Sequence, residues 1–246
     1  MTYCVGMLLK EGLAMIADTR TNAGVDNVST YKKLFVTEQT GERVIAIATA
    51  GNLSVTQTAL SRLKSGIKLP GSDQPETLLN VPTLERAVEL VGYALKTVRN
   101  DFEAGLEAEA VDMGATVLLG GQIRGGPLGL YLIYPQGNAI ACGSDTPYLQ
   151  IGEFKYGKPI LDRALRTDTP LVEAIKLGLI SFDSTLRSNL GVGLPFDMVT
   201  IRPDRFAGTQ RRIEADDPYF RELGAQWSDA LAKAHRSMPP PPWADD

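Results

Sequence analysis

The chain has 246 residues, enough to bury a sizeable core as one large domain or two small ones. Hydrophobic residues make up 43% and charged residues 22%, ordinary globular proportions, and a formal net charge of -4 gives no electrostatic reason to expect nucleic acid or an anionic membrane surface as partner. No apolar stretch is long enough to span a bilayer and no basic-then-apolar leader opens the chain. Cys4 and Cys142 sit inside apolar runs as small core residues of a reducing compartment, so a soluble cytoplasmic protein is expected.

In chain order, two near-continuous apolar runs, Tyr3–Leu9 and Leu13–Thr19, flank Lys10-Glu11-Gly12 and read as a hairpin of strands buried on both faces. Leu34–Glu38 and Arg43–Ala50 read as a second hairpin, turned at Thr40-Gly41-Glu42. Leu53–Lys64 is a first helix, and the Gly/Pro/Ser-rich stretch Leu69–Asn80 a loop. Pro82-Thr83 opens a long amphipathic helix whose face carries Leu84, Val88, Val91, Leu95 and Val98; the acidic stretch Glu103–Glu109 reads as a solvated helix end or loop. Strands follow at Ala115–Gln122, Gly129–Tyr134 and Asn138–Cys142, then a helix at Lys155–Leu165. Thr169-Pro170 supplies an N-cap and first helical residue for a further helix bearing Leu171, Ile175, Leu179, Phe182 and Leu186, with Ala174 and Gly178 letting a neighbouring helix approach. Phe196–Arg202 returns as a strand. Periodicity alone supports an α+β class. After Asp204 the composition shifts, dividing the chain into residues 1–204 and an extension, 205–246. In it Asp217-Pro218 starts a helix with Phe220, Leu223, Trp227 and Leu231 on one face, covering this subunit or a neighbouring one, before a proline-rich tail expected to be disordered.

The chemistry points to the N-terminus. Thr2 is a small hydroxyl residue of the kind exposed when Met1 is removed, and an N-terminal threonine can use its own α-amine as base, so no histidine is required. The only histidine, His235, lies near the proline-rich tail. Ala17-Asp18-Thr19-Arg20-Thr21-Asn22-Ala23-Gly24, followed by Tyr31-Lys32-Lys33-Leu34, resembles the start of proteasome-type β subunits, members of the N-terminal-nucleophile hydrolases, and over most of the chain the resemblance is to the short bacterial proteasome-like Anbu proteins. It implies a four-layer αββα sandwich of two antiparallel sheets, with Thr2 as nucleophile, Lys33 beside it and Asp18 fixing the lysine. Lys33 stands one residue nearer the aspartate than is common in proteasome subunits, which implies a one-residue loop deletion; Lys32 would face the other way on the strand.

The resemblance further implies that Gly51, in Ala48-Thr49-Ala50-Gly51, offers its backbone N–H to a developing oxyanion. An extended peptide would lie as an added strand against Thr21, Asn22 and Gly51, with Thr21, Thr49 and Leu53 as pocket walls. Ser144, in Cys142-Gly143-Ser144-Asp145, matches the family's Gly-Ser-Gly turn, although Asp145 replaces a glycine. The family's Arg-Asp-x-x-Ser-Gly is altered here to Arg187-Ser188-Asn189-Leu190-Gly191-Val192, so Ser188 stands where the aspartate would be. Asp183, one helical turn earlier, would substitute only with a backbone shift.

No cofactor or metal is expected: Gly120-Gly121 and Gly125-Gly126 lack the lysine-serine pair of a phosphate cradle, no Cys/His group has zinc spacing, and Asp216-Asp217 reads as a helix start. The expected function is a threonine peptidase acting on a peptide or protein substrate, assembled as a homo-oligomeric ring or open helical ring, with no ATPase motif of its own and no unfoldase named by the sequence. The alternatives are a catalytically weak peptide-binding scaffold and an amidase acting on a non-peptide substrate.

Overall fold

The computed structural model describes residues 1–22, 28–104 and 112–243. Most of the acidic stretch read as a solvated helix end, 105–109, and the end of the tail, 244–246, lie outside the described residues. The first half runs β1 (Tyr3–Leu9), β2 (Gly12–Asp18), β3 (Arg20–Asn22), β4 (Val28–Thr30), β5 (Leu34–Gln39), β6 (Arg43–Gly51), α1 (Leu53–Ser65) and α2 (Leu84–Glu103). The second runs β7 (Ala115–Ile123), β8 (Gly129–Ile133), β9 (Ala139–Ala141), β10 (Tyr148–Gly152), α3 (Lys158–Ala164), α4 (Leu171–Ser188), β11 (Phe196–Ile201), β12 (Gly208–Ile213) and α5 (Pro218–Ser237). Two five-stranded sheets result, ordered β10-β1-β2-β11-β12 and β5-β6-β7-β8-β9, with β3 and β4 as a separate hairpin. All their pairings are antiparallel.

The period of two along each strand sorts its side chains into layers. On β1, Tyr3, Val5, Met7 and Leu9 face a core built with α3, α4 and α5, while Cys4 faces the second sheet. On β2, Ala14 and Ile16 join the helical side, and Leu13, Met15 and Ala17 the space between sheets. β6 divides in the same way: Ile45 and Ile47 pack against α1 and α2, and Val44, Ala46 and Ala48 face the first sheet. Helices, sheet, sheet, helices is the four-layer αββα sandwich. Because both faces of the inner strands are covered, their sequences read as unbroken apolar runs rather than alternating ones.

The anticipated helices and core strands form within a few residues of their expected bounds, and the structure adds strands and corrects two details. β3 and β4 have three residues each, β10 is short, and β12 is a polar edge strand with Thr209–Arg212 exposed, so none carries a strong apolar pattern. β12 pairs with β11, and α5 lays Phe220 and Leu223 into the core beside α4, so residues beyond 204 complete the first sheet and its cover. Thr169 does not cap α4: its Oγ1 accepts from the Arg166 N–H at 2.8 Å in the preceding turn, and Glu11 Oε2 accepts from Leu171 N–H at 3.0 Å instead. Gly178 serves a helix-on-sheet approach rather than a helix-on-helix one. A Cβ there would stand 2.9 Å from both Ile16 Cδ1 and Met7 Cε. Among the described residues no helix is long and apolar enough to cross a membrane.

That close approach makes Gly178 a sensitive position. Gly178→Val should cost about 1–3 kcal/mol through overpacking against β1 and β2, measured by urea unfolding; unchanged stability would show that α4 lifts freely from the sheet.

Candidate active site

Thr2 stands one residue before β1 and is buried, its carbonyl accepting the Glu153 N–H at 2.6 Å just beyond β10. It lines a cleft of about 530 Å³ together with Met1, Thr21, Lys33, Thr49, Gly51, Leu53 and Glu153. The cleft is lined from both sheets: Thr2 stands at the start of β1 in the first, Thr49 and Gly51 come from the end of β6 in the second, and Leu53 from the start of α1. Gly51 holds φ +100°, and a Cβ on it would run into the Gly114 carbonyl, so the end of β6 takes this course only with glycine.

Asp18, the last residue of β2, is fully buried. Its Oδ1 accepts from Lys33 Nζ at 2.8 Å and from the Tyr3 N–H at 3.0 Å, and its Oδ2 from the Gly193 N–H at 3.4 Å. Burial pushes the carboxyl above its ordinary value, and the Lys33 ammonium pulls it back down, helped by the two N–H donors. Lys33 is 4% exposed and donates a second bond to the Arg20 carbonyl at 2.5 Å, so its charge is both paired and solvated by the backbone. Lys32 is exposed, its ammonium 5.9 Å from the Phe35 ring centroid. The Lys33 carbonyl accepts the Thr49 N–H at 3.0 Å, which ties the lysine to the strand leading to Gly51.

Asn22 follows Thr21 in β3, its backbone paired with Val28. Ser144 is elsewhere: β10 runs antiparallel to β1 with Tyr3 opposite Gly152 and Met7 opposite Tyr148, so residues before Tyr148 lie beyond the far end of β1. There the Ser144 carbonyl accepts from Thr167 Oγ1 at 2.7 Å, and Thr167 in turn holds the Lys10 turn. The length of β1, roughly 20 Å at strand rise, separates Ser144 from Thr2. The segment beside Thr2 is Gly152-Glu153, missed because β10 was not read as a strand; the alternation Tyr148-Leu149-Gln150-Ile151 ending on glycine is the signal that would have found it. Asp183 does not substitute in the altered segment. It is engaged by Arg187 Nε at 2.9 Å and lies against Gly224 of α5. Asn189 reaches the site instead, its Nδ2 donating to Glu153 Oε2 at 3.2 Å.

No family model matches the chain, and no curated protein does. Solved structures do. The chain is 47% identical to the Anbu (Gly-1) mutant from Hyphomicrobium sp. strain MC1, covering 98% of this chain and 99% of that one, with a TM-score of 0.88. It is 44% identical to Anbu (ancestral beta-subunit) from Yersinia bercovieri, covering 98% and 100%, TM-score 0.89. It is 43% identical to the chain of the helical assembly of the Anbu complex from Pseudomonas aeruginosa, covering 99% and 100%, TM-score 0.89.

The buried pair yields a pH-dependent stability. Lys33→Met removes the cation that holds the Asp18 carboxyl down, so its folded value rises further above the unfolded one. A carboxyl raised in this way contributes stability below its unfolded pKa, near 3.9, and loses it as pH rises through the folded value. The stability gap between wild type and Lys33→Met, from urea melts, should therefore widen from pH 4 to pH 8, reaching about 3–5 kcal/mol. A gap constant with pH would show that Lys33 does not hold Asp18 ionised.

Proposed function

This chain belongs to the Anbu family of proteasome-like N-terminal-nucleophile hydrolases, and from that premise we propose that it is a threonine peptidase whose nucleophile is Thr2 after removal of Met1. The observation that carries the reading is the buried Lys33–Asp18 pair, 2.8 Å between Nζ and Oδ1, at the wall of a cleft that Thr2 also lines. Met1 is 67% exposed, so an aminopeptidase can reach it.

Once Met1 is gone, the Thr2 α-amine, with a reference pKa of about 7.7–8.0, takes the hydroxyl proton as Oγ attacks the substrate carbonyl carbon. Lys33 favours the developing alkoxide, Asp18 holds Lys33 in place, and the Gly51 N–H stabilises the oxyanion. The resulting ammonium returns its proton to the leaving amine as the C–N bond breaks, leaving an ester on Thr2. Water, deprotonated by the same amine, hydrolyses that ester. The substrate is an extended peptide held as an added strand against Thr21, Asn22 and Gly51, with Thr49 and Leu53 as pocket walls. The helical assembly of the Pseudomonas aeruginosa relative supports a homo-oligomer, as a ring or open helical ring, and the two free cysteines fit a cytoplasmic setting.

One observation favours a second reading, a catalytically weak peptide-binding scaffold: Asp183 is committed to Arg187, and residues 188–192 supply no carboxylate of their own.

Intact mass before and after incubation with a peptide epoxyketone or β-lactone separates the two. The peptidase reading expects loss of Met1 and an adduct on Thr2, absent in Thr2→Ala and slowed about 100-fold or more in Lys33→Ala. Loss of Met1 without an adduct would sink the peptidase and leave the scaffold.

A further inference from the structure

Glu153 lines the cleft with Met1 and Thr2, and its position there is built rather than incidental. Its N–H is bound to the Thr2 carbonyl at 2.6 Å, so the residue is locked to the backbone of Thr2 itself. Its Oε2 accepts from Asn189 Nδ2 at 3.2 Å and its Oε1 from the Lys155 N–H at 3.4 Å, while Asn189 Oδ1 accepts from the Gly191 N–H at 2.8 Å, which fixes the amide's orientation. Gly191 in turn abuts Met1: a Cβ on it would stand 2.5 Å from Met1 Cβ. Glu153, Asn189 and Gly191 thus border the place where Met1 joins Thr2. Among the described residues the ion pairs leave Glu153 without a cationic partner. Removal of Met1 would create a cation at this place, the α-ammonium of Thr2.

We propose that Glu153 is a positioning residue for the N-terminal threonine, its carboxylate fixed by Asn189 and holding the Thr2 α-amino group so that the nitrogen stays turned toward Thr2 Oγ. The inference rests on the removal of Met1 in the reading above, and not on peptidase activity. Glu153 exchanges no proton with substrate; it accepts a hydrogen bond from the amine and stabilises the ammonium formed when Thr2 Oγ gives up its proton. The other charges around the amine are Asp18 and Lys33, paired with each other, and Arg20 of β3, whose Nη1 is committed to the Leu190 carbonyl at 3.0 Å. The end of α4 adds Arg187, which is paired with Asp183, and the uncharged cap residue Asn189. A carboxylate with neutral hydrogen-bond donors and no cationic partner, placed beside the amine, favours its protonated form.

The test reads the amine directly. Protein treated with methionine aminopeptidase is acetylated with limiting acetic anhydride from pH 5 to pH 10, and the modified Thr2 peptide is quantified by mass spectrometry in wild type, Glu153→Gln, Glu153→Asp and Asn189→Ala. The expected result is an apparent amine pKa about one unit lower in Glu153→Gln, a smaller fall in Asn189→Ala, and recovery toward wild type in Glu153→Asp. A titration that does not move in Glu153→Gln or Asn189→Ala overturns the proposal, and Asn189→Ala and Glu153→Asp keep it open to refutation if Glu153→Gln does not fold. Retention of Met1 after the treatment overturns it as well, because no ammonium then forms. A shifted titration in a protein that no epoxyketone labels would sustain this role for Glu153 while refuting the peptidase.

Discussion

Four stretches of chain meet on one carboxylate. Asp18 ends β2 with no exposure to water, and an ion so placed persists only with partners of its own. It finds them in the Tyr3 N–H at the start of β1, Lys33 ahead of β5, and the Gly193 N–H ahead of β11. Residues far apart in sequence must therefore converge here for the charge to be buried at all. Lys33 extends the constraint into the second sheet, because its carbonyl holds the Thr49 N–H and so sets the strand that ends in Gly51. Both walls of the cleft are thus tied to one buried ion pair.

Behind Thr2 the scaffold is a run of packed aromatic rings. Tyr3, its neighbour, packs on Phe182 at 4.4 Å between centroids with the rings tilted by 37°; Phe182 meets Phe196 at 4.6 Å, and Phe196 meets Phe220 edge-on at 5.3 Å. This aromatic column joins β1, α4, β11 and α5, and each contact adds to the burial it already provides. Burial pushes the Tyr3 phenol well above its ordinary value, so it stays neutral, bonded to Ser181 Oγ at 3.1 Å and Gln150 Nε2 at 2.6 Å. Thr2, joined to Tyr3, is thereby anchored at its backbone to these packed rings. The end of the chain, through Phe220, thus belongs to the support of the beginning.

Legibility in the sequence followed burial. The central strands β1, β2, β6 and β7 were readable because covering both faces demands apolar residues at nearly every position, and α2 because one face packs on a sheet and the other meets water. β12 was not, since an edge strand bearing Gln210, Arg211 and Arg212 is held by ladder hydrogen bonds that leave no mark on side-chain pattern. β10 is short and only weakly patterned, so the sequence does not show that Gly152 and Glu153, rather than Ser144, come to line the cleft with Thr2.

The sequence by itself determined the α+β class, the order of the main elements and, through resemblance, the pairing of Asp18 with Lys33. The class and the order of elements rest on local periodicity, whereas the pairing of Asp18 with Lys33, 15 positions apart, is carried by the resemblance and not by spacing. Tertiary structure alone decided that Glu153 would stand beside Thr2 and that Asn189, 36 positions on, would hold it, that Asp183 would turn to Arg187 and α5, and that residues beyond 204 would complete the first sheet. Each depends on register between strands or on the meeting of distant segments, and a shift of one residue in β10 would reverse which side chains face the cleft.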